Sequence, residues 1–369
     1  MLLRDMDKAV ARIHLAIERG ETIAVFGDYD VDGITSTCLL SSYLTQQGAK
    51  VIPYIPDRLT EGYSLNTDAI TRLRLKGARL LVSVDCGITN LKETDFARGI
   101  GMDVIITDHH ECKDELPNAA AVVNPHRPDC PYPFKQLAGV GVALKLCLAL
   151  TPEAERSQTL DDYVDLAAIG TVADVMSLTD ENRAIVSMGL RALSHTCRPG
   201  LVMLMRECGL EGKLISASSI GFTLAPRINA AGRMGCPQVA AQLLMTQSAE
   251  DGAALAQTLC DLNRERDVYK RQGVLRALSR IVHLCAPNRV IGITGIERTV
   301  CTPEQVYIKT HISHPSSLNS FGNGAVHTIC SCRNGCIRRT RHECKAGLES
   351  IGSPPYWTSP SNGHPMDAI

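Results

Sequence analysis

Aromatic residues are scarce in this chain of 369 residues, where five Phe, nine Tyr and one Trp make up 4%. Stacking on aromatic platforms is therefore excluded as the main source of affinity for any nucleic-acid partner; Tyr63 and Phe222 are the candidate exceptions, with the core as the simpler reading of both. No apolar run approaches the roughly 18 residues that span a bilayer. Arg4, Asp5 and Asp7 stand close behind Met1 in place of an apolar signal core, so the expected location is the cytoplasm, where the 15 cysteines are not read as disulfides. Composition, at 44% hydrophobic and 21% charged, excludes a disordered or collagen-like chain, and the length exceeds that of one small module.

A large charge of either sign is also lacking, but the net value of -1 hides a division after Tyr269. Residues 1–269 carry 26 basic and 34 acidic side chains, whereas residues 270–369 carry 12 and 5. The acidic first segment argues against a passive coat for a polyanion. Within it, short β-branched runs at 22–26, 51–55, 80–84, 104–107 and 121–123 alternate with helical spacing at 34–47, 67–76 and 91–98. Glycines 48, 77 and 99 stand where those helices should stop. This alternation predicts an α/β fold, a parallel sheet flanked by helices on both faces. A buried helix is expected at 139–150, a mostly apolar helix at 163–169, a basic loop at 225–233 and a long helix at 239–266.

Ligands of open α/β sheets bind outside the carboxyl ends of the strands, and acids gather at those ends here. The first strand runs into Gly27-Asp28-Tyr29-Asp30-Val31-Asp32-Gly33, the third into Asp85-Cys86-Gly87 and the fourth into Asp108-His109-His110, while the helix at 163–169 opens into Gly170-Thr171-Val172-Ala173-Asp174. Any one of these aspartates is most simply a turn former or a helix cap. Together they are not. Asp28, Asp30 and Asp32, read as alternating along an extended loop, would repel one another without a cation among them. With Asp85, Asp174 and His109 the donor set suits Mn²⁺ or Mg²⁺ better than thiolate-loving zinc. Two such ions about 3.5 to 4 Å apart activate water and neutralise a phosphoryl group during in-line displacement.

These segments resemble the DHH phosphoesterase superfamily, and within it the RecJ family of single-strand exonucleases. The likeness extends to Arg58 with Glu61-Gly62-Tyr63, to Asn124-Pro125, to residues 137–143 and to residues 226–233, and runs from about Asp5 to about Asp267. It implies two ions, one held by Asp28, Asp30 and Asp85 and the other by Asp32, Asp85, His109 and Asp174, with Asp85 bridging. It further implies that Asp108 orients its neighbours, that His110 faces the scissile phosphate, and that Arg58, Arg227 and Arg233 contact substrate phosphates.

The activity implied is metal-dependent 5′ to 3′ hydrolysis of single-stranded DNA in repair and recombination, beside a single-strand-binding protein and a helicase. An oligonucleotide or cyclic-dinucleotide phosphodiesterase, a pyrophosphatase, a non-catalytic scaffold and an inactive fragment are the rivals. Segments 139–145 and 226–233 count against the phosphodiesterase and pyrophosphatase readings, and the full ligand set counts against the scaffold. In domain terms the expectation is a DHH catalytic domain over 1–200, a helical connector over 201–269 carrying the basic loop, and an atypical tail over 270–369. That tail lacks regular apolar spacing and reads as a degraded or misread second lobe, with a lineage-specific domain as the rival. Its Cys330, Cys332, Cys336, His342 and Cys344 lack the paired knuckles of common zinc fingers.

Overall fold

The computed structural model describes residues 2–285 and, beyond them, the strands β6 to β9 defined below; side-chain surroundings are described for residues 2–268. Two compact units divide the chain, Met1–Gln272 and Gly273–Ile369. The first opens with α1 (Met6–Glu18), β1 (Thr22–Phe26), α2 (Val31–Gln46), β2 (Lys50–Tyr54), α3 (Thr67–Leu75), β3 (Ala78–Val84), α4 (Leu91–Gly99), β4 (Asp103–Thr107) and β5 (Ala121–Val123). The strands form one five-stranded sheet in the order β2-β1-β3-β4-β5, and every pairing is parallel.

Because side chains alternate across a strand, the sheet feeds two cores. Ile23, Val25, Leu80, Val82 and Ile105 join the larger one, with α1, α2 and the helices that follow the sheet. Ala24, Phe26, Leu81, Val104 and Ile106 face the other, with Ala69, Ile70 and Leu73 of α3 and Ala97 of α4. This covering of both faces is the arrangement the sequence predicts.

After the sheet come α5 (Gly139–Leu150), α6 (Arg156–Ala173), α7 (Asp180–Ser194) and α8 (Pro199–Glu207). A short α9 (Ala217–Ser219) passes through a π-helical turn, Ile220–Leu224, into α10 (Ala225–Arg233). Then follow α11 (Pro237–Met245) and α12 (Ala249–Cys285). No described helix is long and apolar enough to cross a membrane.

Four expectations are corrected here. Residues 225–233 are a helix rather than a loop, since Pro226 sits at the start, where its missing N–H costs nothing. The expected helix at 239–266 is two helices, broken where Thr246 turns extended. Asp30 and Asp32 do not lie on an extended loop: Asp30 caps α2 and Asp32 stands in its first turn. Asp174 follows a helix of 18 residues, α6, as its C-cap.

In the second unit, β6 (Gly292–Thr302), β7 (Gln305–Ser313), β8 (Val326–Ser331) and β9 (Ile337–His342) form an antiparallel sheet in that order. The sequence reading assigned no strands there. The expectation for Cys332, Cys336 and Cys344 falls outside the described residues.

Candidate metal centre

The carboxyl ends of β1, β3 and β4 bring Asp28, Asp85 and Asp108 to one edge of the sheet, and helix termini complete the group. Asp30 accepts a hydrogen bond from the Gly33 N–H, which fixes the start of α2 beneath the cluster. Asp32 accepts two, from Gly139 N at 2.7 Å and Val140 N at 2.9 Å, so the N-terminus of the buried helix α5 points at its carboxylate.

Asp85 adopts φ 59°, a left-handed conformation that costs a non-glycine residue about 1 to 2 kcal/mol. Its backbone is tied there by the N–H bond to Thr107 O. Gly139 shares in this arrangement, since a Cβ at that position would lie 2.5 Å from Asp85 Oδ1. Only glycine lets α5 start so close to the aspartate.

Ligand atoms of Asp28, Asp30 and Asp85 lie within 4.8 Å of one another, as do those of Asp32, His109 and Asp174. His109 Nε2 stands 3.1 Å from Asp85 Oδ1, 3.6 Å from Asp174 Oδ2 and 3.8 Å from Asp32 Oδ2. The sequence-derived ligand set is thus brought together in full. Asp28, Asp32 and Asp85 are buried, and Asp174 is partly buried.

Electrostatics here demand a counter-charge. Burial, then the charge of Asp30, pushes the Asp28 carboxyl up to about 7, and the same two causes push Asp174 up to about 6. Asp32 and Asp85 are raised well above the carboxylate range by burial and then by neighbouring acids. Burial, followed by the charge of His110, lowers His109 to about 4. A neutral imidazole among crowded carboxylates is the form that binds a cation. Asp85 Oδ1 is buried without a hydrogen-bond partner, since its approach to His109 lacks hydrogen-bond geometry. An orphaned carboxylate oxygen at the centre of such a cluster fits a divalent ion.

Asp108 behaves differently from its neighbours. Burial opposes its ionisation, yet the His110 hydrogen bond and charge, with the N–H groups of Ile88 and His110, hold its carboxyl below the usual range. The His110 ring bonds Asp108 Oδ1 through Nδ1 at 2.7 Å. That bond, working against desolvation and aided by the Asp108 charge, raises His110 to about 9. This favours the imidazolium form of His110, whose ring is half-exposed. The ring of His109 instead bonds the backbone of Leu137, so the Asp108 side chain orients the His110 ring and only the backbone of His109.

Residues 22–171 match the DHH family, N-terminal domain. Among curated proteins, the single-stranded-DNA-specific exonuclease RecJ of Bacillus subtilis is 44% identical over 264 residues, 72% of this chain and 33% of that protein. Its Thermus thermophilus counterpart is 37% identical over 302 residues, covering 80% and 44%. A crystal structure of exonuclease RecJ bound to manganese superposes with a TM-score of 0.69 at 37% identity, covering 76% of this chain and 71% of that one. The chain belongs to the RecJ family. It spans a third to a half of the length of these curated RecJ proteins.

For a RecJ-family chain, the three arginines expected at substrate phosphates fall in different places. Arg233 lines a cleft with Val31 and Ala173, neighbours in sequence of the cluster aspartates. Arg58 lies 5.2 Å over the ring of Tyr29, between Asp28 and Asp30. Arg227 turns onto Thr223 O at 2.6 Å and is not part of the cleft wall. Tyr63 and Phe222 are not core residues, being 54% and 83% exposed. Tyr63 meets Tyr29 edge-on at 6.2 Å.

The sequence reading missed three supporting groups. The α5 N–H groups on Asp32 sit more than 100 residues away in sequence. Asn124, fully buried, donates to His110 O and accepts from His126 N; the Asn-Pro pair marked the spot without its role. Arg266 lines the cleft from α12, and its position in a helix pattern gave no signal.

Proposed function

We propose that this chain is a metal-dependent nuclease that hydrolyses single-stranded DNA from the 5′ end, in cytoplasmic repair and recombination, beside a single-strand-binding protein and a helicase. The observation that carries the reading is Asp85, whose unpartnered oxygen stands between two ligand groups. Residues 1–200 would form the catalytic domain and 201–269 the connector. The RecJ names of the relatives and the manganese-bound structure support the substrate and the ion.

Asp28, Asp30 and Asp85 would hold one ion, and Asp32, Asp85, His109 and Asp174 the other. When bound, the ions supply charge neutralisation at the phosphoryl group and lower the pKa of water. His110, held cationic by Asp108, donates its free ring N–H to a phosphate oxygen, an interaction that strengthens as charge builds on that oxygen. Asp108 keeps the ring in place. Arg58 and Arg233 offer forked donors to backbone phosphates along the cluster.

The test is hydrolysis of 5′- and 3′-labelled single strands and of duplex by the full chain in Mn²⁺. Mononucleotide release from the 5′ end of single strands is expected, with duplex a poor substrate. Release from the 3′ end, or no hydrolysis of DNA by a chain that binds Mn²⁺, would overturn the reading.

A further inference from the structure

The ligand group of Asp32, His109 and Asp174 is assembled from distant parts of the chain: Asp32 stands in the first turn of α2, His109 follows β4 and Asp174 closes α6. Two loops set where these side chains stand. One runs from β5 to α5; the His109 ring bonds the backbone of its Leu137, and Gly139 at its end donates its N–H to Asp32. The other runs from Asp174 to α7. Backbone that orients a ligand does so only as firmly as it is itself held.

Asn182, in the first turn of α7, ties the two loops together. Its side-chain amide donates to Gln136 O, beside Leu137, and to Ser177 O at 3.0 Å, just past Asp174. The side chain is fully buried. Its neighbour Glu181 supports the first contact, since it accepts from the Tyr132 hydroxyl and pairs with Lys145 of α5. The second contact answers a strain. Val175, directly after Asp174, is an exposed β-branched residue at φ 58°, a conformation that persists only where the surroundings impose it. The bond to Ser177 O, a short step further on, keeps the chain in that path.

Folding stability does not account for this amide. Its Oδ1 is buried with no hydrogen-bond partner, and an unsatisfied buried acceptor costs about as much as one or two ordinary hydrogen bonds contribute. The two bonds from Nδ2 are thereby largely offset. What the group adds is geometry, because its two N–H donors diverge from one planar nitrogen and so set the spacing of the carbonyls they meet.

We infer that Asn182 is a positioning residue of the metal centre, joining the loop that orients His109 to the loop that carries Asp174 and so fixing these two ligands relative to each other. The inference rests on the ligand set proposed above, in which both serve one ion, and adds a residue of α7, a helix without a part in that reading.

The experiment is calorimetric titration of Mn²⁺ into the full chain, on wild type, Asn182→Leu, His109→Ala and the double variant, with electron paramagnetic resonance spectra of the loaded proteins. Leu is close to Asn in size and donates nothing. Partners that orient metal ligands are worth about 10-fold to 100-fold in metal affinity. Asn182→Leu should therefore weaken one Mn²⁺ by about 10-fold or more and leave the other unchanged, and the spectrum should pass from that of a coupled pair to that of an isolated ion. In the His109→Ala background only the ion of Asp28, Asp30 and Asp85 remains, and there the same substitution should change nothing. Asn182→Asp keeps the shape and, protonated between two carbonyls, one donor; it should fall between wild type and Asn182→Leu, and it carries the test if the leucine variant does not fold. Equal weakening of both ions, or a loss of the same size in the His109→Ala background, would make Asn182 a general support of the fold and overturn the inference. Unchanged affinity and coupling in both Asn182 variants would do the same. Equal Mn²⁺ binding by wild type and His109→Ala would instead defeat the ligand set itself, and this inference with it.

Discussion

Replacing Asp28 by asparagine tests whether the acid cluster is held together against its own charge. In the metal-free chain the Asp28 carboxyl is raised from 3.8 to about 7, so the folded state binds a proton there more tightly than the unfolded chain does. Its contribution to stability is full below about pH 3.8 and is lost as pH rises through about 7. At 1.36 kcal/mol per unit, the loss is about 4 kcal/mol. The amide of the Asp28→Asn variant has no proton to lose. In EDTA the variant should therefore gain on wild type by about 4 kcal/mol between pH 4 and pH 8, and at about 2 to 4 °C per kcal/mol this is roughly a 10 °C change in the Tm difference. Scanning calorimetry on both proteins at each pH reads it. With saturating Mn²⁺ at pH 8 the order should reverse, as wild type keeps the ligand that the variant lacks. Parallel Tm curves in EDTA would show that Asp28 is not crowded by like charge, and the argument for a cation would fall with it.

Asp85→Asn should abolish most stabilisation by Mn²⁺, which in wild type is about 2.7 kcal/mol at 100 times Kd; equal thermal shifts in the two proteins would exclude Asp85 as the shared ligand. His110→Gln should lower kcat by about 10² to 10³ with little change in DNA binding, and wild-type activity should decline at alkaline pH as the imidazolium is lost. A variant that loses binding as much as turnover would remove His110 from the reacting phosphate. Arg233→Ala should reduce the log-log salt slope of single-strand binding by about 0.7, whereas Arg227→Ala, already turned onto Thr223 O, should leave that slope unchanged. The opposite pattern would reverse their roles.

Strand positions were legible because a parallel sheet buried on both faces leaves continuous apolar runs, and the acids that follow them stand out by contrast. The start of α2 was not, since Asp30 and Asp32 look like punctuation although a cap and a first turn favour acids. Pro226, Asn229 and Gly232 likewise suggested a loop. Pro fits a helix start, and Gly232 permits a close approach, since a Cβ there would lie 2.0 Å from Tyr29 O. The side-chain identities of the metal centre could be read locally, but what fixes them could not. The α5 N–H groups on Asp32, the Leu137 backbone on His109 and the space that Gly139 leaves beside Asp85 are long-range contacts, and no periodicity encodes them. Tyr63 and Phe222 depart from the usual burial of aromatic side chains, and nothing in their sequence surroundings marks them as exposed.

The hydrogen bonds from α5 to Asp32 decide which inactive variant can serve as a substrate trap. Both oxygens of Asp32 anchor the first turn of a helix whose body is core, so Asp32→Ala would disturb the scaffold along with the chemistry. A silent protein carrying it would say nothing about hydrolysis. Asp30 caps α2, and Asp108 binds three backbone N–H groups. Asp174 carries no comparable duty, for its carboxylate meets His109 at 3.6 Å from the partly buried end of α6. Asp174→Asn is therefore the substitution with which to hold an uncut strand on an otherwise intact molecule.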